Sequence, residues 1–235
     1  MSLVLSKKWI KPAIFLLCLT PVGRLSWLAV RGGLGTNPIE FVTHDTGDWT
    51  LIFIVLTLSI TPVRKLLAQP QLIRFRRMLG LFAFFYGCLH FSTYLVLDKF
   101  FDIREILQDV GHRKFITIGF TGFVLMIPLA LTSTAGWIRR LGGRHWQMLH
   151  RLVYATAACG VVHYYWLVKS DIRKPLGYGI IVLLLLGYRL AVFRKERWPK
   201  PASAARSFPA ARESKRATGT TERIEVGESR AEWTL

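Results

Sequence analysis

Three histidines lie within stretches of sequence that are otherwise strongly apolar. His90 lies in LFAFFYGCLHFSTYLVL, whereas His150 and His163 lie in WQMLHRLVYATAACGVVHYYWLV. An ionisable residue inside a membrane span costs roughly 2.5 kcal/mol or more, so each of these side chains indicates a functional site. Neutral imidazole is a common axial ligand of haem iron, and helical bundles supply such ligands from facing helices. The three histidines therefore favour a small membrane cytochrome that carries electrons.

The composition agrees with a membrane protein. The chain has 235 residues, of which 51% are hydrophobic, and its mean hydropathy is +0.33. We therefore expect one integral membrane domain in contact with lipid. The net charge of +18 is explained by basic loops on one side of the membrane, so we expect no binding to nucleic acid. The three cysteines have no metal-like spacing and are predicted to pack as small apolar side chains.

Six apolar segments, each close to the ~20 residues that cross a bilayer, predict an all-α bundle of six transmembrane helices. They cover approximately residues 10–30, 49–67, 78–97, 115–133, 149–168 and 176–193. The first is interpreted as an uncleaved span because no small-residue cleavage site follows it. Residues 1–197 would form the haem-binding membrane domain. Residues 198–235 lack apolar periodicity and are predicted to be a disordered cytoplasmic tail.

Charge asymmetry predicts the orientation of the bundle. Basic residues dominate the connections on one side, whereas most acidic residues, including those at 40–48 and 98–109, fall on the other side. The positive-inside rule then places both termini in the cytoplasm. The mixed segment 98–114 is predicted to form a short amphipathic helix on the outer surface. His44 and His112, in outer loops, and His145, in an inner loop, are interpreted as solvated residues.

The predicted topology places two of the histidines at the same depth. Spans three and five run in the same direction, and His90 and His163 lie about 18–21 Å from the inner ends of their spans. These two side chains could therefore hold one iron between them.

His150 is harder to pair. It begins span five, so its neighbour on span three would be Arg76 or Arg77, and arginine has no lone pair to offer iron. On an ideal helix His150 and His163 point about 140° apart. Either the helix is rewound near Gly160 or His150 reaches its ligand from another angle, and the spacing leaves a second haem open.

The motifs RRMLGLFAFFYGCLHFSTYL and GWIRRLGGRHWQMLHRLVYATAACGVVHYYW resemble the MsrQ (YedZ) family. These proteins are haem-binding membrane subunits of a periplasmic methionine sulfoxide reductase system, and they are similar to the ferric reductase transmembrane domain. The resemblance covers approximately residues 10–197. It implies a bacterial inner-membrane, multi-pass protein in which His90 and His163 ligate one haem b. It further implies that His150 ligates or supports a second haem, with Arg76 where the wider superfamily has a fourth histidine.

The resemblance also implies partners. The family's electron acceptor is MsrP, a soluble periplasmic molybdopterin enzyme that repairs oxidised proteins by reducing methionine sulfoxide. Its electron donor is the quinone pool or a cytoplasmic flavin reductase, and FMN is associated with the family. On this interpretation the chain is an electron-transfer subunit without catalytic activity of its own.

Two other functions are compatible with the sequence. A membrane cytochrome b could serve a different periplasmic partner, and a transporter could use buried histidines as a proton relay. The paired broken helices and repeat symmetry of transporters are not evident here. A self-contained ferric reductase is not expected, because no G-x-G-x-x-G nucleotide-binding motif follows a strand.

Overall fold

The computed structural model describes residues 9–168 and 170–197, with side chains as far as residue 194, and every regular element in that part of the chain is helical. The eight α-helices are α1 (Ile10–Val30), α2 (Pro38–Leu66), α3 (Ile73–Ser92), α4 (Ile103–His112), α5 (Lys114–Leu131), α6 (Ala135–Leu149), α7 (Leu152–Leu167) and α8 (Arg173–Arg197). A 3₁₀ turn, Pro70–Leu72, leads into α3, and a π-helical segment, Thr93–Asp98, continues it. The predicted tail from residue 198 lies outside the described residues.

Within the described part of the chain, five stretches of helix are long and apolar enough to cross a membrane, which indicates a multi-pass membrane protein. These are Ile10–Val30, Pro38–Leu66, Pro70–Asp98, Lys114–Leu131 and Arg173–Arg194. The fifth predicted span corresponds to α7, which has 16 residues. At a rise of roughly 1.5 Å per residue it is about 24 Å long, shorter than the ~30 Å hydrocarbon core. The count of six spans and the orientation of the termini therefore stay predictions.

Two helix pairs form the centre of the bundle. Helix α2 packs along α3, and α5 packs along α7. Buried aromatic rings fill the space between α2 and α3: Phe53 stacks on Phe82 at 5.7 Å and on Tyr86 at 5.2 Å between ring centroids. Their burial beside Leu58 and Ala157 gives the helices that carry the apolar histidines a rigid core.

Helix α1 is fastened to this core by a buried hydroxyl. Tyr86 is 1% exposed, donates to the Cys18 carbonyl at 2.9 Å and accepts from the Val22 N–H at 3.2 Å. In an uninterrupted helix that carbonyl and that N–H would pair with each other. The hydroxyl therefore lies within the hydrogen-bond ladder of α1, beside Pro21, where proline already removes one N–H.

Helix α2 begins earlier than the hydropathy pattern predicts. The polar stretch 40–48, expected to be an outer loop, forms the first turns of α2, so the exposed His44 is on a helix. The Asn37 side chain caps the N–H of Glu40 at 3.3 Å and Pro38 occupies the first turn, which together start the helix there. His145 was likewise expected in a loop but lies on α6, a helix interrupted at Gly142 with φ 72°.

The predicted outer amphipathic helix is present as α4. Lys99, which is 7% exposed, pairs with Glu105 and with Asp109 at 2.9 Å, and Arg113 pairs with Asp109 at 3.0 Å. The Tyr94 hydroxyl also donates to Asp109 at 3.2 Å. These contacts join α4 to the end of the span that carries His90.

Candidate functional site

His90 on α3 and His163 on α7 lie next to each other in the structure. Their ring centroids are 6.0 Å apart, and the ring planes are inclined by 78°. Metal–imidazole bonds of about 2.0–2.1 Å on opposite sides of one metal, added to the size of the two rings, give a ring separation of about 6 Å. The separation of this histidine pair therefore fits two imidazoles that would hold one metal between them.

The protonation of both rings is determined by main-chain carbonyls. His90 Nδ1 lies 2.9 Å from the Thr43 carbonyl oxygen on α2, and His163 Nδ1 lies 2.7 Å from the Phe115 carbonyl oxygen on α5. A carbonyl only accepts hydrogen bonds, so each Nδ1 must carry the proton and each Nε2 must keep its lone pair. Among the described residues no hydrogen bond occupies either Nε2. This is how a protein orients a histidine ligand.

Two glycines make room for the rings. A Cβ added at Gly47 would lie 3.1 Å from His90 Cε1, and one added at Gly119 would lie 2.5 Å from His163 Nδ1. Each glycine follows the carbonyl acceptor by four residues on the same helix, one turn further along the face that the histidine contacts. Helices α2 and α5 therefore cradle the two imidazoles in the same way.

The two imidazoles fit a haem better than a metal ion that is held by protein side chains alone. Within the described residues no group of three or more His, Cys, Asp or Glu side chains could hold a metal ion. The two imidazoles, each with a free Nε2, are the residues that would hold a haem, whose macrocycle would supply the other iron ligands.

The sequence suggested that His150 begins the helix of span five, but in the structure His150 is not part of α7. It is the C-terminal cap of α6, and α7 begins at Leu152. The expected 140° offset from His163 assumed one continuous helix and does not apply, since the chain turns between the two helices.

The Nε2 of His150 has a different partner from those of the histidine pair. It lies 3.1 Å from the Thr132 hydroxyl, whose only proton is donated to the Pro128 carbonyl at 2.6 Å. His150 Nε2 must therefore donate, which leaves the lone pair on Nδ1. The ring also stacks on Trp146 at 3.9 Å between centroids.

Arg76, the expected neighbour of His150, lies close enough for its positive charge to disfavour protonation of the His150 ring. The side chain of Arg76 hydrogen-bonds the Tyr154 hydroxyl of α7 and lies near Arg64 and Arg189. His150 and Arg76 therefore have separate hydrogen-bond partners, and a second haem site stays a prediction.

Residues that sequence reasoning did not single out complete the site. They are Thr43 and Phe115, which supply main-chain acceptors, Gly47 and Gly119, which supply space, and Thr132 and Trp146, which hold His150. A main-chain carbonyl leaves no signature in a sequence. The two helical glycines are a signal that could have been followed, because glycine inside a helix often marks close packing.

Comparison with known proteins assigns the family. Residues 46–161 match the ferric reductase like transmembrane component, a stretch that contains the histidine pair's His90 and ends just before His163. The chain is 56% identical over 183 residues to the "protein-methionine-sulfoxide reductase heme-binding subunit MsrQ" of Herminiimonas arsenicoxydans, with 77% of this chain and 84% of that protein covered.

Similar proteins of the same name come from other bacteria. The Bordetella parapertussis protein is 50% identical over 190 residues, covering 80% of this chain and 92% of that protein. The Caulobacter vibrioides protein is 43% identical over 196 residues, covering 83% and 90%. At this identity and coverage the resemblance inferred from the histidine motifs is confirmed, and the chain belongs to the MsrQ family.

Proposed function

We propose that this protein is a membrane b-type cytochrome whose principal haem is ligated by Nε2 of His90 and Nε2 of His163. The observation that carries the proposal is the histidine pair itself, with ring centroids 6.0 Å apart and both Nδ1 atoms committed to carbonyl oxygens. A haem iron bound there would supply one-electron redox chemistry. The names of the relatives, which include heme binding and methionine sulfoxide reductase, support this assignment.

The surrounding residues have defined roles in this proposal. The carbonyls of Thr43 and Phe115 hold the two Nδ1 protons, raise the basicity of the imidazoles and fix the ring orientations. The apolar helices around the rings exclude water, which limits the reorganisation that accompanies a change of charge at the metal. The two carbonyls would thereby keep the imidazoles in fixed orientations when a haem is bound.

The protein would act as a conduit between two partners in the bacterial inner membrane. The end of the bundle that carries Arg76 and Arg144 is called the arginine-rich end. By the positive-inside rule it would face the cytoplasm and the electron donor, which is a quinone or a cytoplasmic flavin reductase. The histidine pair is nearer the opposite end, where electrons could pass to a periplasmic MsrP-like molybdopterin enzyme that reduces methionine sulfoxide in proteins. The membrane domain would have no catalytic activity alone.

Stopped-flow reoxidation tests this function. The reduced, detergent-purified protein is mixed anaerobically with an MsrP-like enzyme, with methionine sulfoxide, or with both, and the reduced haem band is followed. We expect rapid and complete reoxidation only with both components, because the sulfoxide is the terminal oxidant and the enzyme is the acceptor. Equal rates with and without the enzyme would overturn the assigned partner while leaving a haem-binding cytochrome.

A further inference from the structure

Three arginines converge at the arginine-rich end of the bundle from three different helices. Arg76 on α3 lies near Arg64 on α2 and Arg189 on α8, and we call these three residues the arginine cluster. All three are partly buried. Tyr154 of α7 connects them, since its hydroxyl accepts from Arg76 and its ring lies 5.8 Å from the guanidinium carbon of Arg189.

The cluster has an unbalanced charge. No described carboxylate forms an ion pair with any of its three members, and their described partners are the neutral Tyr154 and the Thr61 hydroxyl, which accepts from Arg189. A guanidinium is always protonated in proteins, so three positive charges share one partly buried region. Like charges at close range in a low-dielectric environment repel one another unless an anion lies between them.

The cluster also presents hydrogen-bond donors without acceptors. The Nε atoms of Arg64 and Arg189 are buried and have no partner among the described residues. A buried donor without an acceptor costs about 1–3 kcal/mol, so such groups normally face a ligand or water. Several guanidinium groups in one region are a common donor set for a phosphate or carboxylate.

An anion bound at the arginine cluster would be separate from the haem of the histidine pair. Arg76 precedes His90 by fourteen residues, which places the cluster about 21 Å from the pair along α3. That distance exceeds the reach of a propionate from an iron held by His90 and His163. We propose that the arginine cluster is an oxyanion site that binds the phosphate group of a second ligand, either a soluble phosphomonoester or an anionic lipid.

Unfolding midpoints of the full-length protein in neutral detergent test the site. Inorganic phosphate, FMN and riboflavin are titrated at constant ionic strength with chloride as the balancing anion. Riboflavin lacks the phosphate of FMN and reports any contribution of the ring system. The variants are Arg76→Gln and Arg189→Gln, with Arg77→Gln as the matched control because Arg77 is the exposed neighbour of Arg76 on α3.

We expect inorganic phosphate or FMN, but not riboflavin, to raise the midpoint of the wild type and of Arg77→Gln. The half-saturating concentration should be at least about tenfold higher in Arg76→Gln and Arg189→Gln, since each loses charge-assisted hydrogen bonds. Arg189→Lys keeps the charge without the fork and should retain part of the response. The absorption of the haem held by His90 and His163 should be unchanged in all four variants, which separates this site from the histidine pair.

A lipid arm identifies the source of the phosphate. The same proteins are placed in nanodiscs of phosphatidylcholine alone or with phosphatidylglycerol. Stabilisation by phosphatidylglycerol that is lost in the cluster variants, without a response to the soluble probes, would assign the site to a lipid headgroup. The proposal is overturned if none of the probes stabilises the wild type more than chloride, or if Arg77→Gln loses the response as the cluster variants do.

Discussion

A histidine can ligate a metal only through a nitrogen that carries no proton, so hydrogen bonding separates the three apolar histidines into two kinds. Nδ1 donates to a carbonyl in His90 and His163, which leaves Nε2 available. In His150 it is Nε2 that donates, to Thr132. In the sequence all three histidines look alike, because each lies within an apolar stretch. The difference arises from the atom that each ring meets on a neighbouring helix.

The glycines beside the rings give a graded prediction at this scale. A methyl group at Gly119 would lie 2.5 Å from His163 Nδ1, whereas at Gly47 the nearest atoms of His90 are 3.1 Å away. We expect Gly119→Ala to displace His163 and lose most bound haem, and Gly47→Ala to lose less. The measurement is haem per protein by pyridine haemochrome. Gly187→Ala on α8, where nothing lies within 4 Å, is the control and should keep wild-type haem.

His150 gives a second prediction. The Nε2–H of His150 donates to the Thr132 hydroxyl, so the His150 ring makes no hydrogen bond that would orient His90 or His163. We therefore expect His150→Ala to retain the haem of the pair, with its six-coordinate reduced spectrum. Haem quantification and the reduced α-band check this. Loss of all haem in this variant would mean that His150 anchors the principal site.

The sequence was sufficient to predict that His90 and His163 would meet, because both lay at the same depth on helices expected to run in parallel. It was not sufficient to predict the carbonyls of Thr43 and Phe115, since every residue carries a carbonyl and only packing decides which one faces a ring. The placement of His150 at the start of span five was wrong for a related reason. Its apolar neighbours concealed the turn between α6 and α7.

Among the helices, α4 is the one whose attachment depends most on charge. Hydrogen bonds to Glu105 and Asp109 raise the pKa of Lys99 above its ordinary value. Burial alone would raise the pKa of Asp109, but hydrogen bonds from Lys99 and Tyr94 and the charge of Arg113 hold it below its ordinary value. Both groups are therefore more stable in their charged forms when α4 is docked.

These two shifts define a pH window. A lowered pKa of Asp109 stabilises docking above its ordinary pKa of about 3.9, and this is lost as the pH falls through the lower folded value. A raised pKa of Lys99 stabilises docking below about 10.4, and this is lost as the pH rises through the higher folded value. We expect α4 amide exchange, corrected for intrinsic rates, to be slow between about pH 4 and pH 10 and to accelerate outside that range, below it through Asp109 and above it through Lys99.

Lys99→Met should release α4 at neutral pH. The substitution leaves Asp109 and Glu105 without their shared cation, and a hydrogen bond to a charged group is worth enough to change local opening about tenfold or more. Hydrogen exchange of peptides covering 103–112 measures the effect. Arg104→Met, an exposed change on the same helix, should leave exchange unaltered. Equal exchange in the two variants would refute the role of the network.

Hydropathy predicted the positions of most helices but not where α2 begins. Its first eleven residues carry Glu40, Asp45 and Asp48, and an apolar window therefore starts only near Trp49. The capping signal was nevertheless present, because Asn37 followed by Pro38 is typical of a helix N-terminus. The length of α7 was overestimated since the apolar run continued through the turn at His150 and Arg151.

On the scale of the whole molecule, the opposed charge of the two ends predicts the orientation. Arg144 lies on α6 at the arginine-rich end, and Arg104 lies on α4 at the other end; both are exposed. We expect a membrane-impermeant maleimide added to intact spheroplasts to label Arg104→Cys and not Arg144→Cys, with the reverse pattern in inverted vesicles. The native cysteines lie within helices and are buried or half-buried, which limits background. Labelling of both positions from one side would contradict the topology.

Loss of haem from single histidine variants is the measurement that tests the central claim most directly. His90→Ala, His163→Ala and, as an exposed control, His44→Ala are expressed and purified, and haem per inserted protein is measured with the dithionite-reduced spectrum. The histidine pair predicts that each of the first two variants loses most of the low-spin, six-coordinate haem while His44→Ala keeps it. If both His90→Ala and His163→Ala retain the full reduced spectrum, the two imidazoles are not the axial ligands and the proposed function has lost its foundation.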